Sequence, residues 1–297
     1  MSDIKLHFFV GISASGKTTK AYEMFGKNSV IIDSDNVRAR ICPGGATDQS
    51  MNARVFEHMY RETCECLSRG VSVCYVATNL SAKRRISFLK NIHQRFPDLE
   101  YICYIINTPI ETCYERNDRR SRTVPEYVIG RQVQSFQIPC EAEGWNKIEV
   151  VDNYEEGQDA LGCLIEVEEK VRNFGSQNNS HHTYTLAKHG FACGNAAMKK
   201  KFNKFIIQAC YIHDYGKIYT ATRWEKDNYK EVHYPGHASV SGYLALNMGF
   251  SLYVAQLVNA HMYPYTSERE QEVWRVRFGE KLWGDILKLH ECDCEAH

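Results

Sequence analysis

The chain has 297 residues, enough for about two domains, and its composition of 43% hydrophobic and 24% charged residues is ordinary for a globular protein. Its 36 basic residues balance 36 acidic ones, which excludes a polybasic or polyacidic chain, so any nucleic-acid contact must come from a local patch. No apolar run approaches the roughly 20 residues that cross a bilayer, and residues 1–5 lack the layout of a signal peptide. We therefore expect a cytoplasmic protein without a membrane contact.

The first half alternates short apolar runs with helical patterns. Strands are predicted, in chain order, at residues 6–10, 29–32, 71–76, 101–106 and 148–151. Helices are predicted between them at residues 17–25, 48–69, 83–96 and 110–117. Strands separated by helices of this length predict a parallel sheet with right-handed crossovers.

The second half has almost no strand pattern. Polar breaks at residues 153–157 and 173–180 enclose one predicted helix at 159–171. Further helices are predicted at residues 183–193, 198–214, 237–247, 252–261 and 274–290. The sequence thus predicts an α/β domain at 1–152, a connecting helix and linker at 153–176, and an all-α domain at 177–297.

Twelve scattered cysteines favour reduced, mostly buried thiols in a chain of this length. Only Cys292, Cys294 and His297, around Asp293, resemble a ligand cluster, and their spacing is weak evidence.

The segment 11–18 matches the phosphate-loop motif GxxxxGK[ST] without mismatch, between a predicted strand and a predicted helix. Lys17 is expected to reach the β- and γ-phosphates of ATP or another nucleoside triphosphate, and Thr18 to give its hydroxyl to Mg²⁺. The predicted nucleotide-binding residues are Gly11, Ser13, Ala14, Ser15, Gly16, Lys17, Thr18 and Thr19.

The phosphate acceptor is expected to meet the residues that follow the second strand. A carboxylate there can take the proton of an attacking hydroxyl, and Arg38 can neutralise a phosphate. Asp33, Ser34 or Asp35 could instead cap the following helix, and two carboxylates allow both roles. We predict Asp35 as the base.

Five arginines lie between residues 116 and 131, a pattern typical of a lid over a triphosphate or, alternatively, of a solvated helix face. The run Arg120-Ser121-Arg122 before Val124-Pro125 favours a short mobile loop over a continuous helix.

Residues 4–139 resemble the 5′-kinase domain of bacteriophage polynucleotide kinase and its relatives. The resemblance rests on the phosphate loop, Asp35 with Arg38, residues 78–80 followed by Arg84 and Arg85, and Arg116-Asn117 leading to Val124-Pro125. It implies that Asp35 is the general base, that Arg38 contacts the phosphate beside the 5′-OH, and that Arg120 braces the donor phosphates. Ala77 departs from the family, which often has an acidic residue there.

Histidines stand out in the second half, where His213 and Asp214 are adjacent and can offer nitrogen and oxygen to one cation. Residues 177–297 resemble the HD-domain phosphohydrolases through the stretches that contain His189, His213-Asp214, His237 and His261. The resemblance implies one ion held by His189, His213, Asp214 and Asp293, and a second held by Asp214, His237 and His261.

The same resemblance implies that Lys217 contacts the scissile phosphate. Asp285 is an alternative to Asp293, and His181 and His182 could touch substrate or lie on the surface. Hard oxygen and nitrogen ligands point to Mn²⁺, Fe²⁺, Co²⁺ or Ni²⁺, whereas Cys292 and Cys294 leave zinc open.

A kinase and a phosphohydrolase on one chain suit the two ends of broken RNA or DNA, since a separate ligase needs a 5′-phosphate and a 3′-OH. Bacterial end-healing proteins that join an HD phosphohydrolase to a polynucleotide kinase are similar, with the two domains in the opposite order. Two alternatives remain open. One is a nucleoside or other small-molecule kinase fused to a nucleotidase, which the arginine-rich segment and Arg84-Arg85 disfavour. The other is a non-enzymatic regulator gated by ATP.

Overall fold

The computed structural model describes residues 4–42, 50–178 and 183–296. The chain divides into two compact units. The first contains residues up to Val124 together with Glu143–Asn153, and the second contains Pro125–Ala142 together with the chain from Tyr154 onward.

A five-stranded parallel sheet forms the first unit, which confirms the predicted α/β architecture. Its strands are β1 (Lys5–Val10), β2 (Ser29–Asp33), β3 (Ser72–Val76), β4 (Glu100–Asn107) and β5 (Lys147–Asp152). Their order is β2-β3-β1-β4-β5, with every pair parallel. Phe9, Val76 and Ile106 are buried in one core cluster, so the three middle strands are covered, as crossover helices require.

Five helices accompany this sheet. They are α1 (Lys17–Phe25), α2 (Ser34–Ile41), α3 (Asn52–Ser68), α4 (Ala82–Arg95) and α5 (Ile110–Asp118). The sequence analysis considered a helix cap at residues 33–35 but gave no bounds for the helix. In the structure this helix is α2, whose N-terminal N–H groups bond the Asp33 side chain. The predicted helix at 48–69 starts later, at Asn52, and residues 48 and 49 lie outside the described residues.

The second unit is mostly helical, as predicted. Its helices are α6 (Glu126–Gln134), α7 (Ala160–Phe174), α8 (Leu186–Lys199), α9 (Lys204–Ile212), α10 (Lys217–Thr220), α11 (His237–Asn247), α12 (Leu252–Ala260), α13 (Glu268–Phe278) and α14 (Glu280–Glu295). The single helix predicted at 274–290 corresponds in the structure to the end of α13 and most of α14. Gly279, with φ +77°, interrupts the helix between them. Two-residue strands, β6 (Thr222–Arg223) and β7 (Val232–His233), pair as a small hairpin.

Residues 125–142 pack within the helical unit, although they precede β5 in sequence. Phe136 packs against Tyr243 at 5.2 Å between ring centroids, and the buried Asn259 amide bonds the backbone of both Phe136 and Ile138. This division differs from the one predicted at residue 152, since 125–142 and the predicted linker helix α7 both group with the second unit. Hydrophobic periodicity locates a helix but does not indicate which core it joins.

All twelve cysteines are free thiols and nine of them are buried, so the prediction of mostly buried thiols is confirmed. Within the described ranges, no helix is both long and apolar enough to cross a membrane.

Candidate active sites

The phosphate loop joins the end of β1 to the start of α1. Ala14 and Gly16 have left-handed φ angles of +62° and +84°, and a Cβ on Gly16 would lie 2.6 Å from Asn153 Nδ2. The loop is closed by the Gly11 N–H, which donates to the Thr78 carbonyl at 3.1 Å. The backbone therefore curls at the N-terminus of α1, where free N–H groups and the helix dipole favour an anion.

Lys17, Thr18 and Asp33 meet at this loop. Lys17 Nζ donates to the Ile12 carbonyl at 2.6 Å, and burial lowers the pKa of Lys17 to about 8. Thr18 Oγ1 donates to Asp33 Oδ2 at 2.8 Å, which places a hydroxyl beside a carboxylate, both suitable for Mg²⁺. The donor set fits a nucleoside triphosphate with Mg²⁺, because phosphate charge would restore full protonation of Lys17. Thr19, by contrast, is exposed on α1.

The two candidate bases have different surroundings. Asp33 Oδ1 accepts the backbone N–H groups of Asp35 and Asn36, so both oxygens of Asp33 are already engaged. The Asp35 side chain is 57% exposed, and its nearest charged partner is Arg122, at 3.5 Å. Asp33 therefore caps α2, and Asp35 has the more accessible carboxylate of the two.

Arg38, the predicted acceptor-binding arginine, is buried. Its Nη2 donates to Asn52 Oδ1 at the start of α3, at 2.6 Å. Arg38 thus lies one helical turn after Asp35 on α2, and Asn52 accepts a hydrogen bond from its guanidinium.

The chain between α5 and α6 is non-helical, as predicted. Asn117 closes it into a loop, since its side-chain amide exchanges two hydrogen bonds of 2.8 Å with the backbone of Val124. Arg120 is exposed on this loop and helps to lower the pKa of Lys17, although burial is the larger cause. Arg131 belongs instead to the helical unit, where it stacks over Tyr127 at 5.3 Å. Arg116, Arg119, Arg120 and Arg122 group with the first unit.

Arg85 corrects an inference from the sequence. Its guanidinium is buried and bonds both oxygens of Glu143, at 2.6 and 2.8 Å, and it also donates to the Asn79 carbonyl. Arg85 therefore braces the segment after β3, and it does not argue for a nucleic-acid substrate.

Two polar residues that the sequence analysis missed support the phosphate loop. Thr108 Oγ1 and Asn153 Nδ2 both donate to the Ser15 carbonyl at 2.8 Å, and Arg116 donates to the Asn153 carbonyl. Thr108 and Asn153 directly follow β4 and β5, and this position at the carboxyl edge of a parallel sheet was the available signal.

The helical unit brings together every ligand that the sequence analysis predicted. His189 lies on α8 and Asp293 on α14, and the others lie at helix ends: His213 and Asp214 after α9, His237 at the start of α11 and His261 after α12. All are buried except His237, whose side chain is 12% exposed.

Each imidazole is fixed by a backbone carbonyl. The Nδ1–H groups of His189, His213, His237 and His261 donate to the carbonyls of Ala296, Cys210, Tyr234 and Val258, over 2.7–3.0 Å. Because a carbonyl only accepts, these bonds assign the proton to Nδ1 and leave Nε2 facing inward. Within each pair, His189 with His213 and His237 with His261, the two Nε2 atoms are 3.2 Å apart.

Asp214 lies between the two histidine pairs. Its Oδ2 is 3.4 and 3.5 Å from the Nε2 atoms of His189 and His213, and its Oδ1 is 3.3 and 3.7 Å from those of His237 and His261. Two potential metal-binding groups that share Asp214 result. Asp293 Oδ1 adds a further oxygen, 3.0 Å from His189 and 3.2 Å from His213.

Nearby positive charge keeps the two buried carboxylates of this cluster ionised. Burial alone would raise the pKa of Asp214, but Lys217, His213 and His237 hold it well below its usual range, and His213 and His189 do the same for Asp293. Burial also lowers the pKa of His261 to about 3, whereas Asp214 and Asp293 overcome burial and raise that of His213 to about 10. The buried carboxylates, and the inward-facing Nε2 atoms once deprotonated, are chemically suitable ligands for a cation.

Lys217 is buried between two acceptors, Asp214 Oδ2 at 2.6 Å and Gln177 Oε1 at 2.8 Å. Asp285, the alternative to Asp293, bonds Tyr253 and Lys288 instead of the cluster. Cys292 is buried and Cys294 exposed, and in the described part of the chain neither candidate metal group contains a cysteine. His181, His182 and His297 lie outside the described residues.

One family model and several solved structures are similar to parts of this chain. Residues 6–139 match the family model described as an AAA domain. The structure is similar to a chain of the Pnkp1/Rnl/Hen1 RNA repair complex, with TM-score 0.38 and 20% identity over 46% of this chain and 45% of that one. It is also similar to a fungal RNA kinase, with TM-score 0.39 and 15% identity over 79% of this chain and 52% of that one.

The chain thus spans about half the length of these two structures. No curated protein matches the sequence significantly. The family match ends before α7, so it does not describe the helices that carry the histidine cluster.

Proposed function

We propose that this protein converts broken nucleic-acid ends into ends that a ligase can join, with RNA as the favoured substrate. The first unit phosphorylates 5′-OH ends with ATP and Mg²⁺, and the helical unit is an HD-type phosphohydrolase that removes a 3′-phosphate or opens and removes a 2′,3′-cyclic phosphate. The observation that carries the proposal is the convergence of four oriented imidazoles on the two oxygens of Asp214, in a chain that also has a complete phosphate loop.

For phosphoryl transfer, the loop backbone and Lys17 hold the donor phosphates, and Thr18 with Asp33 holds Mg²⁺. Asp35 accepts the proton of the attacking hydroxyl, because its carboxylate is exposed whereas that of Asp33 is engaged. Arg38 binds the acceptor phosphate and Arg120 the donor side, where negative charge accumulates in the transition state.

For phosphate removal, His189, His213, Asp214 and Asp293 hold one divalent ion, and Asp214, His237 and His261 hold a second. Such ions, here Mn²⁺, Fe²⁺, Co²⁺, Ni²⁺ or Zn²⁺, polarise phosphoryl oxygens and lower the pKa of bound water. The four backbone carbonyls keep each Nε2 aimed inward, and Lys217 offers its ammonium to the scissile phosphate from beside Asp214.

The substrate assignment rests on the pairing of opposite chemistries. A kinase and a phosphatase acting on one group would cancel each other, whereas a 5′-OH and a 3′-phosphate are distinct ends that a ligase cannot join. The polynucleotide-kinase resemblance of Asp35, Arg38 and Arg120 supports the same choice. The buried Arg85 contributes nothing to it.

One experiment separates the two activities. An RNA oligonucleotide with a 5′-OH and a 3′-phosphate is incubated with labelled ATP, Mg²⁺ and, in turn, Mn²⁺, Co²⁺, Ni²⁺ and Zn²⁺. Lys17→Ala should lose 5′ labelling and keep 3′-phosphate release, and Asp214→Ala should do the reverse while losing bound metal. A wild-type protein that labels only free nucleosides would refute the end-healing function. One that binds no metal would refute the phosphohydrolase.

A further inference from the structure

Tyr265 touches the histidine cluster from its surface side. It lies in a short 3₁₀ segment, Tyr263–Tyr265, shortly after His261, and its hydroxyl donates to Asp293 Oδ2 at 2.8 Å. Tyr265 extends from the protein surface to a buried ligand, since the residue is 49% exposed whereas Asp293 is only 6% exposed. The ring packs edge-on against His290, with 4.4 Å between centroids.

The bond to Tyr265 makes the two oxygens of Asp293 unequal. Oδ1 faces His189 and His213 at 3.0 and 3.2 Å, whereas Oδ2 accepts the phenol. In Asp214, by contrast, each oxygen faces a different histidine pair. The cluster thus contains one carboxylate that reaches both pairs and one that offers a single oxygen to one pair.

We infer that Tyr265 is a positioning residue that holds Asp293 as a one-oxygen ligand on the His189–His213 side. Asp214 is then the only one of the two carboxylates that bridges. The inference rests on the proposed function, since it requires that the cluster bind metal. The phenol acts through Asp293, as outer partners of metal ligands commonly do by fixing the orientation of the ligand.

The chain contains a matched control. Tyr253 Oη donates to Asp285 Oδ2, also at 2.8 Å, and its ring packs against Phe205, but Asp285 lies apart from the cluster. Tyr265→Phe and Tyr253→Phe therefore remove the same atom and the same kind of bond from the same unit. Each variant keeps the ring and its packing.

The test measures the affinity of the full-length chain for Mn²⁺ and Co²⁺, together with the visible absorption of the Co²⁺ form. Tyr265→Phe should weaken the tighter metal-binding step by about 10- to 100-fold and alter the Co²⁺ spectrum, and Tyr253→Phe should leave both unchanged. In an Asp293→Ala background, Tyr265→Phe should have no further effect, because the acceptor of its hydrogen bond is gone.

The outcomes separate the two proposals. If the wild type binds no metal, the phosphohydrolase proposal fails. If the wild type binds metal and Tyr265→Phe matches Tyr253→Phe in affinity and spectrum, the metal centre stands and the role of Tyr265 is refuted. If Tyr265→Phe weakens metal binding equally with and without the Asp293 carboxylate, the phenol does not act through Asp293. Circular dichroism of the metal-free variants and their kinase activity establish that each has folded.

Discussion

The buried pair of Arg85 and Glu143 makes a sharp prediction about the first unit. Both side chains are only 1% exposed, and the guanidinium bonds both carboxylate oxygens. The Trp145 indole N–H also donates to Glu143, at 3.0 Å. Arg85→Met would keep this bond but leave the Glu143 carboxylate charged and buried without its guanidinium partner. Removal of one partner from a buried pair typically costs about 3–5 kcal/mol, because the other charge is left uncompensated.

At roughly 2–4 °C per kcal/mol, Arg85→Met should lower the unfolding temperature of the first unit by about 6–20 °C. Arg85→Met combined with Glu143→Gln should recover much of this loss, since no charge is then buried and glutamine still accepts from Trp145. Calorimetry of the full-length chain measures the transition, and the heat stability of the proposed phosphohydrolase activity is an internal control. At permissive temperature the KM for RNA should be unchanged.

An Arg85→Met protein with normal stability but a KM for RNA raised about 10-fold or more would refute this reasoning. It would restore Arg85 as an argument for a nucleic-acid substrate. A double variant as unstable as the single one would show that the uncompensated charge of Glu143 is not the cause.

Three further variants test the assigned roles. Asp35→Asn should slow phosphate transfer to RNA by about 10²–10⁴-fold without changing the unfolding temperature, because the side chain is mostly exposed. Asp33→Asn should lower both the rate and the stability. A near-normal rate for Asp35→Asn would remove it as the base. Lys217→Met should retain bound metal in elemental analysis and slow the release of the terminal phosphate, and loss of metal would instead make Lys217 part of the support of Asp214.

Local patterns predicted much of the fold. The β1 strand, the phosphate loop and α1 follow from a short apolar run, a glycine motif and an amphipathic helix, all contiguous in sequence. Helix α2 has only eight residues and little apolar periodicity, so hydrophobic patterning gave it no bounds. Asp33, Ser34 and Asp35 were all candidates for its cap, and the hydrogen bonds of Asp33 decide between them.

Long-range pairing limited the rest. Arg85 and Glu143 are 58 positions apart, and nothing near either residue indicates a buried partner. The same limit applies to residues 125–142, whose attachment to the helical unit depends on Asn259, more than 100 positions further along the chain. Tyr265 was missed because a tyrosine after a histidine has no distinguishing pattern until its hydroxyl meets Asp293.

Three of the four imidazoles of the histidine cluster share one backbone arrangement. In His213, His237 and His261, Nδ1 bonds the carbonyl three residues earlier, that of Cys210, Tyr234 and Val258 respectively. Two of these carbonyls lie in the last turn of α9 and α12, where the helix no longer supplies a donor four residues ahead. Ending a helix at a histidine therefore orients the ring through its bond to that carbonyl. Because α9 ends at Ile212, the adjacent His213 and Asp214 are free of helical spacing and can both point into the same site. The sequence analysis had extended the predicted helix to residue 214, so the end of α9, and with it the orientation of His213, became known only from the structure.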